Sequence, residues 1–303
     1  MYYFIANPKA GRGLGLKVMQ DLEQYLNKKG VVYETAYTQY AGHAIELARD
    51  AVGQGHRLIV AVGGDGTVLE VSSGIMQADG EKATMGIIPA GTGNDFTKCM
   101  GIPKDPEKAV DTILEGHYRN VDMALVNGRY YLNIAGHGFD VEVIQKTEST
   151  KKLGLRGLAA YYSAVFIATL TYKWQKVRIT MDGDKVMERE VLMVSVANGQ
   201  YQGGGMHVAP LAKVDDGLLD LSIINRLPRL KIYGLLPRYV KGTHLSLKMV
   251  EYYKCKTVKV EPVSEPAPLN MDGEVTGSTP ADFRLADKKL MIYAPAENPE
   301  GKE

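Results

Sequence analysis

The first hundred or so residues alternate between two hydrophobic periods. Short, nearly continuous apolar runs occur at Tyr2–Ala6, at 57–62 (RLIVAV) and at Thr84–Pro89, and each ends at a turn-forming residue. Between them, apolar residues recur at three- and four-residue spacing. In 11–30, Leu16, Met19, Leu22, Tyr25 and Leu26 fall on one helical face. Segments 44–52, 68–76 and 106–115 carry the same helical signature, and 31–38 reads as a further strand. Continuous apolar strands alternating with helices predict a parallel sheet covered on both faces. This α/β unit is expected to end near Asp122.

From Val121 the pattern changes. Segments 130–134, 176–182, 191–197, 219–224, 257–263 and 289–293 are short and rich in β-branched or aromatic residues, and turn pairs such as Asn127-Gly128 and Asp182-Gly183 punctuate them. That texture predicts an antiparallel sandwich or barrel, interrupted by helices near 155–172 and 229–241. The polar segment 297–303 is expected to fray. Residues 155–172 form the most apolar stretch, but Arg156 interrupts it and Lys173 follows. It falls short of the roughly 20 apolar residues that span a bilayer. A buried or interfacial helix is expected there, with core packing the leading reading and contact with lipid the lesser one. The first residues, MYYFIA, lack a basic stretch and run straight into Asn7-Pro8, which reads as a strand and not a signal peptide.

Composition narrows the class. At 303 residues, 45% hydrophobic and 23% charged, the chain has the makings of a full core in two domains, which excludes disordered and collagen-like architectures. Thirty-six basic against 35 acidic residues leave a charge of +1, with no bulk attraction to nucleic acid, although a local basic patch can still meet anionic lipid heads. Cys99 and Cys255 lie far apart, and no CxxC or His-rich run favours zinc. A reduced, cytosolic setting is expected.

Three strand-end loops carry chemistry. Gly63-Gly64-Asp65-Gly66-Thr67 follows RLIVAV and precedes a helix. Glycines at such a turn let backbone N–H groups approach phosphate oxygens, and a helix N-terminus favours the negative charge. Asp65 could hold a magnesium ion directly or through water, or it could simply cap the turn. Pro89-Ala90-Gly91-Thr92-Gly93-Asn94-Asp95 follows the next strand and is expected beside the first turn at the carboxyl edge of the sheet, where ligands bind. Thr92 and Asn94 offer hydroxyl and amide groups, and Asp95 a second carboxylate. An Asn-Asp helix cap is the plainer alternative. Asn7-Pro8-Lys9-Ala10-Gly11-Arg12-Gly13 is glycine-rich and basic without a Walker pattern, and a surface turn accounts for it as well as phosphate or adenine contact does.

Taken together, NPKAGRG, GGDGT, PAGTGNDF, NIAGHGFD, GGGMHVAPLAKVDDGLLD and MDGE resemble the diacylglycerol kinase catalytic-domain superfamily, in its bacterial soluble lipid kinase branch, over nearly the whole chain. The superfamily also includes sphingosine and ceramide kinases. The resemblance implies an ATP-binding α/β domain at 1–123, a β-sandwich domain at 124–290 and a tail at 291–303 that returns to the first domain. It implies ATP contacts at Asn7, Pro8, Lys9, Ala10, Gly11, Thr38, Gly64, Asp65, Gly66, Thr67, Val68, Leu69, Glu70, Thr92 and Asn94. Glu274 matches the general base that deprotonates a lipid hydroxyl. Lys213, Asp216 and Leu218 match a structural magnesium site, the lysine and leucine through backbone oxygens. Asp65 and Asp95 match carboxylates linked to metal and water near the phosphates, with Asp65 also placed among the catalytic groups. Asp122 resembles a further acidic position near the cleft. From the residues alone, Glu274 reads as a solvated turn glutamate, and Asp215, Asp216 and Asp220 as a polar hairpin.

Two positions depart from the family pattern. Leu69 stands where asparagine is usual, a feature also reminiscent of NAD kinases, and Leu211 replaces a usual polar residue. The implied activity is Mg²⁺-dependent phosphorylation of a lipid hydroxyl, with diacylglycerol the leading acceptor. An NAD kinase-like phosphotransferase and a non-catalytic lipid- or nucleotide-binding regulator are the alternatives. Peripheral, transient membrane contact from the cytoplasm is expected, without nucleic acid, and an exposed strand edge in the second domain would suit a homodimer. His137 reads as a turn residue near the cleft and not a metal ligand, Trp174 as core or interface, and Met206-His207 as neighbours of the acceptor site.

Overall fold

The computed structural model describes residues 1–79, 83–152, 154–263 and 265–296. The tail at 297–303, expected to fray, lies outside them. The chain divides into two compact units, Met1–Met123 with the chain from Ala286 onward, and Ala124–Leu285.

The first unit begins with β1 (Tyr2–Ala6), α1 (Ala10–Lys28), β2 (Tyr33–Tyr37), α2 (His43–Gly53), β3 (Leu58–Gly63), α3 (Asp65–Asp79), β4 (Thr84–Pro89), α4 (Asp95–Cys99), α5 (Pro106–Glu115) and β5 (Tyr118–Val121). Local signals set several boundaries. In α5 the Asp105 carboxylate accepts from Lys108 N at 3.0 Å, Pro106 opens the first turn, and Gly116 closes the helix at φ 80°. The expected face of α1 needs one correction. Val18, Met19, Leu22 and Leu26 are buried, whereas Leu16 is exposed. Gly11, Arg12 and Gly13 adopt positive φ of 56°, 65° and 95°, so the regular helix starts after them.

The second unit contains β6 (Ala124–Val126), β7 (Arg129–Tyr131), β8 (Ile134–Gly138), α6 (Phe139–Lys152), α7 (Gly157–Thr171), β9 (Gln175–Met181), β10 (Lys185–Ala197), β11 (Leu219–Asn225), α8 (Arg229–Val240), β12 (Val250–Cys255), β13 (Thr257–Pro262), β14 (Pro268–Met271), β15 (Glu274–Ser278) and β16 (Ala281–Leu285). All its strand pairs are antiparallel, in the order β15-β14-β8-β10-β9-β13-β16-β6-β7, with β11 joining β10 to β12. The sheet closes over one core containing Tyr131, Ile179, Val194, Leu221, Val260 and Phe283. A second core, with Phe139, Val165, Leu192, Met193, Ile224 and Leu235, packs α6, α7 and α8 on the other face. A β-bulge between Val191 and Met193 in the β10–β11 pairing lets Leu192 and Met193 both join the helix-side core. Asn127-Gly128, Asp182-Gly183 and Asp272-Gly273 all have positive φ at both residues, the backbone of a tight hairpin turn.

Four expectations are corrected here. Segment 130–134 is not one strand: β7 stops at Tyr131 and β8 starts at Ile134, because the Asp272 carboxylate accepts from the amides of Leu132, Asn133 and Ile134 at 2.8, 2.9 and 2.9 Å. His137 is not a turn residue but lies buried inside β8. Residues 155–172 do form a helix, yet much of its apolar surface is exposed. Segment 289–293 does not belong to the sandwich. As β17 (Leu290–Tyr293) it enters the first unit's sheet, whose order is β2-β1-β3-β4-β17-β5. There it runs parallel to β4 and antiparallel to β5.

Candidate functional site

In the first unit, three loops leave the carboxyl ends of adjacent strands β1, β3 and β4, and they touch. A Cβ on Gly91 would lie 2.4 Å from the Cα of Gly64, and one on Gly11 would lie 2.4 Å from the Ala90 carbonyl oxygen. Only glycine permits backbones this close. Asn7 Nδ2 donates to Thr67 Oγ1 at 3.0 Å and so ties the first loop to the second, while Lys9 N donates to Asn7 Oδ1 at 3.0 Å. Gly11, Arg12 and Gly13 are three consecutive left-handed residues, and Gly13 N donates to Lys9 O at 3.4 Å, folding the loop back on itself.

Asn94, left-handed at φ 52°, clamps its own loop. Its Oδ1 accepts from Gly91 N at 3.1 Å, and its Nδ2 donates to Gly91 O at 2.9 Å. Asp65 Oδ1 accepts from Phe96 N at 3.1 Å, which joins the GGDGT turn to the start of α4. Burial raises the Asp65 pKa, the amide hydrogen bond opposes this, and the charge of Asp95 adds to the rise. Asp95 is buried and paired with Lys98 at 3.0 Å. The Glu70 carboxylate accepts from Gly42 N at 2.9 Å and Ala44 N at 3.3 Å, capping α2. Leu69 is half-buried and Val68 buried; Gly66 and Thr92 are exposed beside the turns. Thr38 N donates to Ala6 O at 2.9 Å at the neighbouring strand end. Asp122 is buried, with Lys289 Nζ at 2.9 Å.

In the second unit, Glu274 is exposed at the first position of β15, directly after the Asp272-Gly273 turn. The turn is held from several sides. Asp272 grips the amides of 132–134, and Asn270 Oδ1 accepts from Gly273 N at 2.9 Å. Asn270 Nδ2 donates to Asp140 Oδ2 at 2.8 Å. Burial raises the Asp140 pKa, and Asn270 opposes the rise. Asp140 Oδ1 is buried without a hydrogen-bond partner.

Asp140 also lines a cavity of about 410 Å³ whose walls are mainly apolar, among them Phe139, Val143, Leu192, Ile232 and Leu235, with Gly273 at its edge. Met206 lines it as well, whereas His207 is not among the lining residues and stacks on Tyr201 at 4.6 Å. Trp174 packs edge-on against Tyr172, with the guanidinium groups of Arg226 and Arg229 over its ring. Sequence reasoning missed the cavity, α6, and the parts played by Asp140, Asn270 and Asp272. The signal for Asp140 and Asp272 was their place in NIAGHGFD and MDGE; nothing local marked the cavity.

The loop at Lys213, Asp216 and Leu218 lies in this unit too. Asp216 Oδ1 accepts from Leu218 N at 3.1 Å, and Asp216 Oδ2 meets Lys254 Nζ at 2.6 Å. Lys254 also lies 3.7 Å from Asp220, whose two buried oxygens lack a hydrogen-bond donor. Burial raises Asp220 to about 6. Among the described residues no group of three His, Cys, Asp or Glu side chains could hold a metal. A cation here would draw on one carboxylate and on carbonyls, a donor set suited to Mg²⁺.

Comparisons with known proteins agree with this layout. Residues 1–126 match the diacylglycerol kinase catalytic domain, and 133–294 match the YegS C-terminal NAD kinase beta sandwich-like domain. The chain is 34% identical to the diacylglycerol kinase of Bacillus subtilis (strain 168), covering 98% of this chain and 97% of that one. It is 32% identical to that of Staphylococcus carnosus (strain TM300), over 97% and 94%. A crystal structure of a diacylglycerol kinase from Bacillus anthracis str. Sterne superimposes with a TM-score of 0.73 at 26% identity, covering 98% of this chain and 97% of that chain. An NAD kinase from Archaeoglobus fulgidus in complex with ATP shares the fold, with a TM-score of 0.52 at 15% identity and coverage of 97% and 93%. With both domain models matched in order along the chain, this protein belongs to the diacylglycerol kinase family and is a lipid kinase of that family.

Proposed function

We propose that the chain transfers the γ-phosphoryl group of ATP to the hydroxyl of diacylglycerol, giving phosphatidic acid, with Glu274 as general base. The observation that carries this reading is the apolar cavity of about 410 Å³, which reaches Gly273, the residue before Glu274. Apolar walls suit an acyl chain. The buried, unpartnered Asp140 Oδ1 offers an acceptor for a hydroxyl at the cavity's polar end. A nicotinamide dinucleotide would find little to bond in such walls.

The residues divide the chemistry. The strand-end loops of the first unit supply backbone N–H groups for the ATP phosphates, and Asp65 and Asp95 provide carboxylates for a nucleotide-bound Mg²⁺. Glu274 takes the proton of the acceptor hydroxyl as its oxygen forms a bond to the γ-phosphorus. The bond from that phosphorus to the β–γ bridging oxygen breaks, and ADP departs with the electron pair. When bound, Mg²⁺ neutralises charge on the phosphoryl oxygens. A structural Mg²⁺ would be held by Asp216 and the carbonyls of Lys213 and Leu218, where the buried carboxylate of Asp220 demands positive charge.

Transfer of label from ATP into micelles of diacylglycerol, monoacylglycerol, sphingosine or ceramide, and to NAD, with and without Mg²⁺, tests the reading. Label is expected in diacylglycerol and only with Mg²⁺. Glu274→Gln should lower turnover by at least about 100-fold while ATP still binds. Label in NAD instead, or an active Glu274→Gln variant, would overturn the acceptor or the base.

A further inference from the structure

The chain from Gln202 to Met206 turns back on itself beside the apolar cavity. Gln202 N donates to Met206 O and Met206 N to Gln202 O, both at 3.0 Å. Gly203, Gly204 and Gly205 between them have φ of 66°, 88° and 116°, left-handed values that glycine adopts readily. The closed loop lays Gln202, Gly203 and Met206 along the cavity wall. Gln202 is 7% exposed, and its Nε2 is buried with no hydrogen-bond partner. A buried amide donor left unpaired carries a free-energy cost. In a cavity wall it marks a place for an acceptor that the chain itself does not supply.

Gln202 and the turn that carries Glu274 are tied to the same short stretch of chain. Ala197, the last residue of β10, pairs with Ile134, and Asn198 N and Gly199 N then donate to Asn133 O at 2.8 and 3.0 Å. Asp272 N donates to Ile134 O at 2.9 Å. Gln202, three residues after Gly199, and Gly273, one residue after Asp272, both line the cavity. Other polar side chains of the wall are already engaged. Asn270 uses Nδ2 on Asp140 and Oδ1 on Gly273 N. Thr147 donates to Val143 O, and Glu148 pairs with Lys151, about two turns beyond Asp140 along α6. The Tyr239 hydroxyl both donates and accepts, so it does not specify the group it meets. An amide Nε2 only donates.

We propose that Gln202 is a specificity-determining residue, its Nε2 donating to an ester carbonyl of the diacylglycerol acceptor. Diacylglycerol carries one hydroxyl donor and two ester carbonyl acceptors. The wall offers the complement, an unpartnered acceptor in Asp140 Oδ1 and an unpartnered donor in Gln202 Nε2. A glycerol with ether-linked chains keeps the hydroxyl and the apolar bulk but has no carbonyl, so it leaves the amide buried and unpaired. A site built to hydrogen-bond a substrate group rejects the analogue that lacks it. The inference rests on the lipid-acceptor reading above and adds to it the chemical class of the chain linkage.

The test sets dioctanoylglycerol against dioctylglycerol, its diether counterpart. Each is titrated calorimetrically into the full chain, and label transfer from ATP to each is measured. The wild type should bind the diester at least about tenfold more tightly and show a similar ratio in kcat/KM. Gln202→Leu, of similar length and apolar, should bring both ratios to within about twofold, chiefly by loss with the diester. Each ratio is taken within one protein, so a smaller folded fraction in the variant cancels. Equal affinity of the wild type for the two lipids, or binding of neither, overturns the proposal. So does a Gln202→Leu variant that keeps the wild-type ratio. A preference for the diester that Gln202→Leu abolishes, with no label entering either lipid, would retain the ester contact and reject the acceptor reading instead.

Discussion

The Cα of Gly91 and the Cα of Gly64 come so close that a methyl group on Gly91 would sit 2.4 Å from the latter. This contact between two glycines of different loops makes the edge proposed to bind the ATP phosphates a single surface and not two independent turns.

Replacing Gly91 with alanine should therefore force the two loops apart. Overpacking of this kind costs about 1–3 kcal/mol, and ATP affinity should fall by at least about tenfold as the amides lose their common geometry. A Cβ on Gly66, by contrast, meets nothing within 4 Å, so Gly66→Ala should keep the wild-type Tm. Calorimetric unfolding and titration with ATP check both.

Asp272 is expected to matter for turnover without touching substrate. Its carboxylate satisfies three amides about 140 residues away in sequence. Asp272→Ala leaves those donors without their partner, at about 1–3 kcal/mol, and loosens the turn that carries Glu274. Urea unfolding should show the loss. The kcat should fall well beyond any change in the KM for ATP, because the loops proposed for ATP contact belong to the other unit.

His137 gives a pH signature. Burial lowers its pKa from 6.5 to about 4, and neither ring nitrogen has a hydrogen-bond partner. The unfolded chain therefore binds more protons than the folded one between those values, so this contribution to stability is complete above pH 6.5 and is lost as pH falls toward 4. In urea melts, the wild type should weaken across that window by up to about 3 kcal/mol more than His137→Asn, which has nothing to protonate there. Parallel pH profiles for the two proteins would reject the assignment.

The cavity should set acyl-chain tolerance. Ile144 lines it from a half-buried position. Ile144→Phe should narrow the cavity and lower kcat/KM for long-chain diacylglycerols by about tenfold, while short-chain acceptors are little affected. A uniform loss across chain lengths would place the acyl groups elsewhere.

Local chemistry was readable from the chain alone. The helical periodicity of 106–115, the Asn-Gly and Asp-Gly hairpin turns and the glycines at the ends of β1, β3 and β4 each depend on residues a few positions apart, and so does the apolar, uncharged character of α7. The kinase motifs and their order also stand in the sequence, which is why the family and the residues proposed for ATP contact could be named from it. Folding in three dimensions decided the rest. It placed β17 in the first unit's sheet, split 130–134 through a distant carboxylate, buried His137 in β8, let the β10 bulge turn Leu192 and Met193 to one core, and left Tyr162, Phe166 and Leu170 in solvent. Each of these outcomes depends on a partner far along the chain, or on the lack of one. Hydrophobic periodicity shows that a residue can be buried, and only the packed structure determines what lies against it.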